Sequence, residues 1–590
     1  MTKTVMQVFA QTVAEHGDKV ALKHKENGHW VDCSFTQYYD EVKRAGRAFM
    51  HLGLEPGRAV SIMGYNCPQW VVADLAAIAA GGMPAGIYTT SSPELVAFVA
   101  GHCKAQIMVV ENAEHLAKVK KVRDQLPELK AIVMMFGEDA DKDVYSWSEF
   151  LALAEKVPEA DLKQRIDNQN PQDCATLIYT SGTTGQPKAV MMSHHNLVWT
   201  ASSVSERAGA KPGNDQISYL PLSHIAEQMF SIIAPISIGV TVWFAESIDL
   251  LLDTLQDARP HAFFAVPRVW EKMQHKMQAA GADAPPLQKK IAAWARGIGL
   301  KASEAEERGS SSKPLLYPIA KKLVFDKVAA RLGMDRSYFR GTGAAPIARE
   351  TLDFFASLDL PLYEVWGQSE STGGGTLNYP GTVRRGSIGV TYPETEIKIA
   401  EDGEIIMRGP SVFMGYLDNE KATKETINSD GWLLTGDVGK IDDDGFVYIT
   451  DRKKELIITA GGENISPAHV EGEIKSIPSI SQCCVIGDKR KYLTALFTLD
   501  EESLADAARA AGSPATTVAE AKECEKFNAW LTNEVKTMNS RLARVQTIKK
   551  WTVLPADFSI EGGELTPTMK LKRRVVHDKY EDQIESMYAE

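Results

Sequence analysis

The sequence has few cysteines for its length, and none pairs with another at the spacing of a known motif. Cys33, Cys67, Cys103, Cys174 and Cys524 stand apart, while Cys483 and Cys484 are adjacent inside an apolar run. This excludes a CxxC redox centre, a zinc ribbon, c-type haem attachment and a disulfide-scaffolded secreted domain, and it fits a reducing compartment. Long apolar runs are also missing. The longest, residues 230–245, is broken by Pro235, Ser237 and Gly239 and falls short of the roughly 20 residues that cross a bilayer. The opening residues Met1-Thr2-Lys3-Thr4-Val5-Met6-Gln7 lack a basic segment followed by an apolar one, so no secretory leader is expected. Positive charge is in deficit: 65 Lys and Arg against 77 Asp and Glu leave a net charge of -12, which argues against a nucleic-acid surface. No internal repeat is visible. The expectation is a cytoplasmic protein whose only membrane contact would be peripheral, on an inner face.

Hydrophobic residues make up 44% and charged residues 24%, the balance of an ordinary globular protein, and 590 residues suit a large domain with a smaller one. Between residues 59 and 110 β-rich runs (59–63, 105–110) alternate with a helical pattern at 69–80. This predicts an α/β fold with a mostly parallel sheet. Similar runs at 240–244 and 262–266 predict that the sheet continues to near the chain's midpoint. Residues 272–322 read as two helices with a surface loop at 309–313. Beyond about residue 385 short strands and turns predict a β-rich lobe ending near 450, where the charged run Asp451-Arg452-Lys453-Lys454-Glu455 begins. The division is therefore 1–450 for a large N-terminal domain and 451–590 for a small α+β one, about 140 residues and an ordinary domain size.

The densest chemical signal is Tyr179-Thr180-Ser181-Gly182-Thr183-Thr184-Gly185-Gln186-Pro187-Lys188, directly after the apolar run Ala175-Thr176-Leu177-Ile178. Small hydroxylated residues and glycines let backbone N–H groups form an anion-binding concavity, and Lys188 adds charge. It is not a Walker A loop, because Pro187 precedes the lysine and Ala189 follows it.

This segment resembles the phosphate loop of the adenylate-forming enzymes, the family of acyl-CoA synthetases, peptide-synthetase adenylation domains and beetle luciferases. Ala189 stands where the family usually has Gly. In the similar segment Tyr363-Glu364-Val365-Trp366-Gly367-Gln368-Ser369-Glu370 the resemblance implies a stacked adenine on Trp366, usually Tyr, with Glu364, Val365 and Gly367 beside it. It implies a phosphate contact from Ser369 and Mg²⁺ held by Glu370 with Thr183 and Thr184. Gly343, Ala344 and Ala345, in Gly341-Thr342-Gly343-Ala344-Ala345-Pro346, resemble the family's adenine-side segment. Asp437 of Thr435-Gly436-Asp437 matches the ribose-binding carboxylate, Arg452 a ribose- or phosphate-side arginine, and Lys454 the hinge of a mobile small domain. The C-terminal run Glu564-Leu565-Thr566-Pro567-Thr568-Met569-Lys570-Leu571-Lys572 is similar to the motif whose lysine reaches the large domain. Lys570 is that candidate, with Lys572 as the alternative, since many relatives carry Gly where Met569 stands.

The resemblance covers nearly the whole chain. Pro267-Arg268-Val269-Trp270-Glu271-Lys272 is similar to long-chain acyl-CoA synthetases. Gly86-Ile87-Tyr88-Thr89-Thr90-Ser91-Ser92-Pro93 and Ile457-Ile458-Thr459-Ala460-Gly461-Gly462-Glu463-Asn464 resemble the bubblegum-type branch. What it implies is an AMP-forming long-chain fatty acid–CoA ligase using ATP, Mg²⁺ and coenzyme A, with Lys570, Glu370 and Lys188 catalytic. Gly461 would wall the pantetheine channel. His224 would stand beside the acyl group, or else serve as a structural histidine. An acyl-AMP ligase serving a carrier protein and a luciferase-like oxygenase share these motifs. The departures Ala189, Trp366 and Met569 leave room for a silent acyl- or nucleotide-binding relative.

Overall fold

The computed structural model describes residues 3–180, 186–282, 284–310, 312–461, 463–477, 479–566 and 569–589, apart from the side chain of Asn464. Among them the largest sheet has eight strands. Its parallel centre is Met83–Ile87, Ala59–Met63, Ala105–Val110 and Ala131–Met134, and Cys174–Thr180 joins parallel to Met83–Ile87. These strands are largely apolar on both faces because both are covered: every residue of Ala59–Met63 and Ala105–Val110 is buried, the polar Ser61 and Gln106 included. The helix Pro68–Ala79, which packs on this sheet, buries ten consecutive residues from Trp70 to its end. A strand buried on both sides reads as an unbroken apolar run, which is why this part of the fold is visible in the sequence.

The expected continuation of this sheet to the midpoint is corrected. Thr241–Phe244 pairs with Asp215–Ser218 and with the N-terminal strand Val20–Glu26 in a second sheet. Ala262–Ala265 starts a third, followed by Phe339–Gly343 and Tyr363–Trp366 in parallel. A strand's apolar pattern says that it is covered and not which strand lies beside it. The two helices expected at 272–322 are Pro267–Ala282 and Pro286–Glu307, and another helical segment begins at Tyr317.

An antiparallel lobe follows, built from Glu396–Ile399, Glu404–Arg408, Leu433–Ile441 and Val447–Arg452. The C-terminal part has its own antiparallel and parallel strands, Ile480–Ile486, Leu493–Leu499 and Ile548–Val553. It also has its own core, in which Phe527, Leu531 and Val535 pack on Phe497 and Ile474. The fold is α/β, with a large N-terminal part of mostly parallel sheets, a β-rich lobe and a smaller α+β part.

Candidate active site

The strands Cys174–Thr180 and Lys188–Ser193 form a hairpin in which Thr180 lies opposite Lys188. The connecting residues Ser181, Gly182, Thr183, Thr184 and Gly185 lie outside the described residues. Lys188 leaves the hairpin with its ammonium 4.7 Å from the ring centroid of Tyr416. The Tyr416 hydroxyl donates to Glu370 Oε1 at 2.7 Å. Burial, reinforced by the Glu370 carboxylate, raises the phenol's pKa. Tyr416 reaches this position because the two-residue strand Gly415–Tyr416 adds to the edge of the large sheet beside Lys188–Ser193. Glu370 lies in the helical turn Ser369–Ser371, and its carbonyl accepts from the Phe413 N–H. One tyrosine thus touches both the lysine of the loop and the carboxylate expected to hold a metal.

A second cluster forms around Asp437, which is only 2% exposed. Its Oδ2 accepts from Trp366 Nε1 at 2.8 Å and from Gln368 Nε2 at 3.0 Å, and its Oδ1 forms an ion pair with Arg452 Nε at 2.9 Å. Arg452 is the cross-strand partner of Asp437, so register alone brings the two together. Gln368 also donates to the Thr435 carbonyl at 2.7 Å. The indole of Trp366 packs over Gly375, where a Cβ would come within 2.6 Å of ring atoms. A buried carboxylate with two donors and one cation on it is fixed in place and still has lone pairs for ribose hydroxyls.

Behind Trp366, Gly343 packs against the Val365 carbonyl so closely that a Cβ would sit 2.4 Å from the oxygen. Gly367 is held as tightly, with a Cβ position 2.3 Å from the Gly373 carbonyl oxygen. Ala344 continues the strand Phe339–Gly343 into a left-handed residue (φ 67°), and it and Ala345 are exposed at the strand's end. Glu364 accepts from the Gly386 N–H at 2.7 Å, and burial pushes its carboxyl up to about 8. Ser369 is half-buried in the turn that carries Glu370.

From the C-terminal part Lys570 comes close enough to Arg452, Glu455, Asp437 and Arg573 for their charges to act on it. Burial first, and then Arg452, push its pKa down to about 8, while Glu455 and Asp437 oppose the shift. The turn that presents it is closed by the Thr566 N–H donating to the Lys570 carbonyl, the Lys570 N–H donating to Thr566 Oγ1 at 3.0 Å, and a bridge from Leu565 to Leu571. Lys572 instead gives its backbone N–H to the Glu564 carbonyl and precedes the helix Arg573–Lys579.

The segment between the two parts is clamped on both sides. Lys453 bonds Asp402 at 2.5 Å and Glu404 at 2.9 Å, both on the β lobe. Glu455 accepts from Arg573 at 3.2 Å, and Arg573 is itself bidentate to Glu471 at 2.6 Å, so Glu455 is tied to the C-terminal part. Lys454 stands exposed between them in a turn.

Two expected residues remain, His224 and Gly461. His224 caps the short helix Ile225–Gln228, its Nδ1 accepting from the Ala226 N–H at 3.2 Å, and burial holds its pKa near about 4. The observed contact is a structural cap by a neutral imidazole. Gly461 lies in an exposed turn, with Thr459 Oγ1 3.7 Å from where a Cβ would stand. Reading the sequence missed Gln368, Tyr416 and the stacked pair Phe230 and Phe264, whose ring centroids are 4.8 Å apart. Phe264 packs on Gly341 and Gly343, which places an aromatic wall next to the segment expected at the adenine.

Among the described residues no group of three or more His, Cys, Asp or Glu gathers to hold a metal. A single carboxylate, Glu370, fits Mg²⁺, which keeps several waters and binds largely through the phosphates of its nucleotide.

Residues 9–417 match the family described as AMP-binding enzyme, and residues 454–590 match the AMP-binding enzyme C-terminal domain. The whole chain is 45% identical to long-chain-fatty-acid–CoA ligase ACSBG2 of Xenopus laevis, covering 84% of that protein. It is 40% identical to long-chain-fatty-acid–CoA ligase ACSBG1 of Homo sapiens, covering 85% of it. In fold it is similar to the anthranilate CoA ligase AuaEII in complex with anthranoyl-AMP, with a TM-score of 0.76 at 17% identity over 99% of this chain and 98% of that one. ATP-bound MatB from Rhodopseudomonas palustris gives a TM-score of 0.73 at 20% identity over 99% of this chain and 100% of that one.

Proposed function

The chain belongs to the AMP-binding enzyme family, and from that premise we propose that it is an ATP-dependent long-chain-fatty-acid–CoA ligase working through an acyl-adenylate. Its full-length likeness to ligases of that name supports the activity. The observation that carries the mechanism is the cluster at Asp437, which accepts from Trp366 at 2.8 Å and Gln368 at 3.0 Å and pairs with Arg452 at 2.9 Å, with Lys570 of the C-terminal part near enough to feel its charge.

In the first step the fatty-acid carboxylate attacks the α-phosphorus of ATP, giving acyl-AMP and pyrophosphate. In the second the CoA thiolate attacks the acyl carbonyl and AMP leaves. Neither needs a protein nucleophile. The barrier in the first is the approach of two anions, so the work lies in positioning and in neutralising charge. Asp437 takes the ribose hydroxyls, with Trp366, Gly343, Ala344, Ala345, Glu364, Val365 and Gly367 around the base. Thr180, Ser181, Gly182, Thr183, Thr184, Gly185, Lys188 and Ser369 take the phosphates. Mg²⁺, with Glu370, Thr183 and Thr184 as its protein ligands, would neutralise phosphate charge. Lys570 bridges the carboxylate and the α-phosphate.

The domain division at 450/451, the hinge at Lys454, and the roles of Gly461 beside pantetheine and His224 near the acyl group belong to the same reading. No helix among the described residues is long and apolar enough to cross a membrane.

The test is AMP release with acids from acetate to very long chains, with the product identified by mass. Long-chain acyl-CoA is expected. A preference for short or aromatic acids overturns the chain-length assignment, acyl-AMP that never becomes acyl-CoA points to a carrier-protein ligase, and no ATP–pyrophosphate exchange with any acid points to a silent relative.

A further inference from the structure

The helix Pro286–Glu307 and the helical segment starting at Tyr317 pack on one another through a small core of their own, with Ala295, Ile298 and Ala302 against Tyr317, Ala320 and Phe325. Leu287, Ile291 and Trp294 continue the stripe of Ile298 toward the helix's start, because steps of four and three residues keep to one face. Here the described residues cover them only in part. Leu287 is 68% exposed, and Ile291 and Trp294 are exposed as well. On the other side Leu315 is 93% exposed, and Leu316, Ile319 and Leu323 are also open.

The charge around this pair of helices is opposite to that of the chain. Residues 286–327 hold nine Lys and Arg against four Asp and Glu, in a protein of net charge -12. Of those four acids Glu307 is paired with Arg385 and Asp326 with Lys321. Lys289, Lys290 and Lys322 are exposed and make no ion pair among the described residues. The other run of exposed apolar residues, Ile248, Leu250 and Leu252, lies instead among Glu246, Asp249 and Asp253.

We propose that this helical pair is a docking face for a lipid bilayer carrying anionic headgroups. Its leucines, isoleucines and Trp294 would enter the headgroup region, and the lysines would lie along it with their charges at the phosphates. A helix with Lys on one flank and Leu, Ile and Trp on the other lies in that interface. A protein partner fits less well, since the cores of protein interfaces are depleted in Lys. The face lies outside the residues gathered around Asp437, so it stands or falls independently of the ligase chemistry.

The experiment is co-sedimentation of the full chain with vesicles of phosphatidylcholine, alone or with about 30 mol % phosphatidylserine. Binding is expected to the mixed vesicles, to be weak on the neutral ones, and to fall as salt is raised. Lys289→Gln with Lys290→Gln should weaken it by about 25-fold, each lysine at an anionic surface being worth about fivefold. Trp294→Ser with Leu315→Ser should weaken binding too. Both variants should keep wild-type ATP–pyrophosphate exchange with a water-soluble acid, which shows that they fold. The proposal is overturned if wild type binds neither kind of vesicle or both equally, or if the variants bind like wild type. It is also overturned if the lipid-free chain is a dimer that the substitutions dissociate, which would make the face an interface between two copies.

Discussion

Trp366 carries a hydrogen-bond donor on its ring edge, and the structure spends that donor on Asp437. Two roles can therefore be separated in one side chain: a flat face proposed for adenine and an N–H that fixes the carboxylate expected to hold ribose. Trp366→Phe keeps the first and removes the second. A hydrogen bond to a charged group is worth about 1.5–3 kcal/mol, so the KM for ATP should rise by about tenfold or more, with the thermal midpoint little changed. An unaltered KM in ATP–pyrophosphate exchange would mean that Gln368 and Arg452 hold Asp437 without the indole. The other departures also have physical accommodations. Met569 sits at φ 62° with its side chain exposed, a left-handed position where glycine is cheap and another residue costs about 1–2 kcal/mol. Ala189 is buried in a strand opposite Tyr179, where a methyl group is accommodated. Asp437, Arg452, Glu370 and Lys570 were legible because each lies in a contiguous motif. Tyr416 was not, since it meets Lys188 only through the pairing of two strands far apart in sequence, and Gly415–Tyr416 is too short to show a pattern of its own. His224 was legible as a position, and the structure supplies its cap contact.

At the scale of elements, the strand Val447–Arg452 and the turn after it convert one charged run into a joint. Lys453 and Glu455 point to opposite parts of the molecule and each is bonded there, so Lys454 is the position where rotation would disturb neither clamp. In sequence the five charges read as a solvated linker, because nothing local says that one side chain belongs to the β lobe and another to the C-terminal part. The covered parallel strands were the opposite case, visible as unbroken apolar runs, while the assignment of later strands to separate sheets depended on partners no run can name. Lys454→Pro fixes φ at the joint. The backbone bonds on either side run from Lys453 N to the Gly436 carbonyl and from Glu455 N to the Arg452 carbonyl, and neither uses the Lys454 N–H. Adenylation should therefore be largely spared, with acyl transfer to CoA slowed on the order of tenfold or more as the turn stiffens. The check is pre-steady-state measurement of the two half-reactions, and an equal loss in both would remove Lys454 from the role of hinge.

Across the whole molecule the two parts meet through Arg268, which donates to Ser481 at 2.8 Å, and through Lys276 paired with Glu502 at 3.2 Å, and the charges of Asp437 and Arg452 act on Lys570. On the proposed mechanism the C-terminal part would rotate about Lys454, and a lysine on it would serve the α-phosphate in just one orientation; in the one seen here Lys570 is within electrostatic reach of Asp437 and Arg452. Lys570→Ala should therefore lower ATP–pyrophosphate exchange by about 100-fold or more, the effect of losing one charge-stabilising donor in a closed site. It should still convert presynthesised acyl-AMP and CoA into acyl-CoA at near the wild-type rate, and Lys572→Ala should be mild in both assays. The pH dependence gives a second readout with a definite sign. Burial and Arg452 hold the Lys570 ammonium at about 8 in the free enzyme, so it is charged below that pH and loses its proton above it. The kcat/KM for adenylation, which reports the free enzyme, should be level below about pH 8 on this account and decline as pH rises through it. The declining limb should vanish in Lys570→Ala and move to higher pH in Lys570→Arg, whose guanidinium keeps its charge. A limb that persists in Lys570→Ala belongs to another group, and Glu364, a buried carboxyl also raised to about 8, is then the one to replace with Gln.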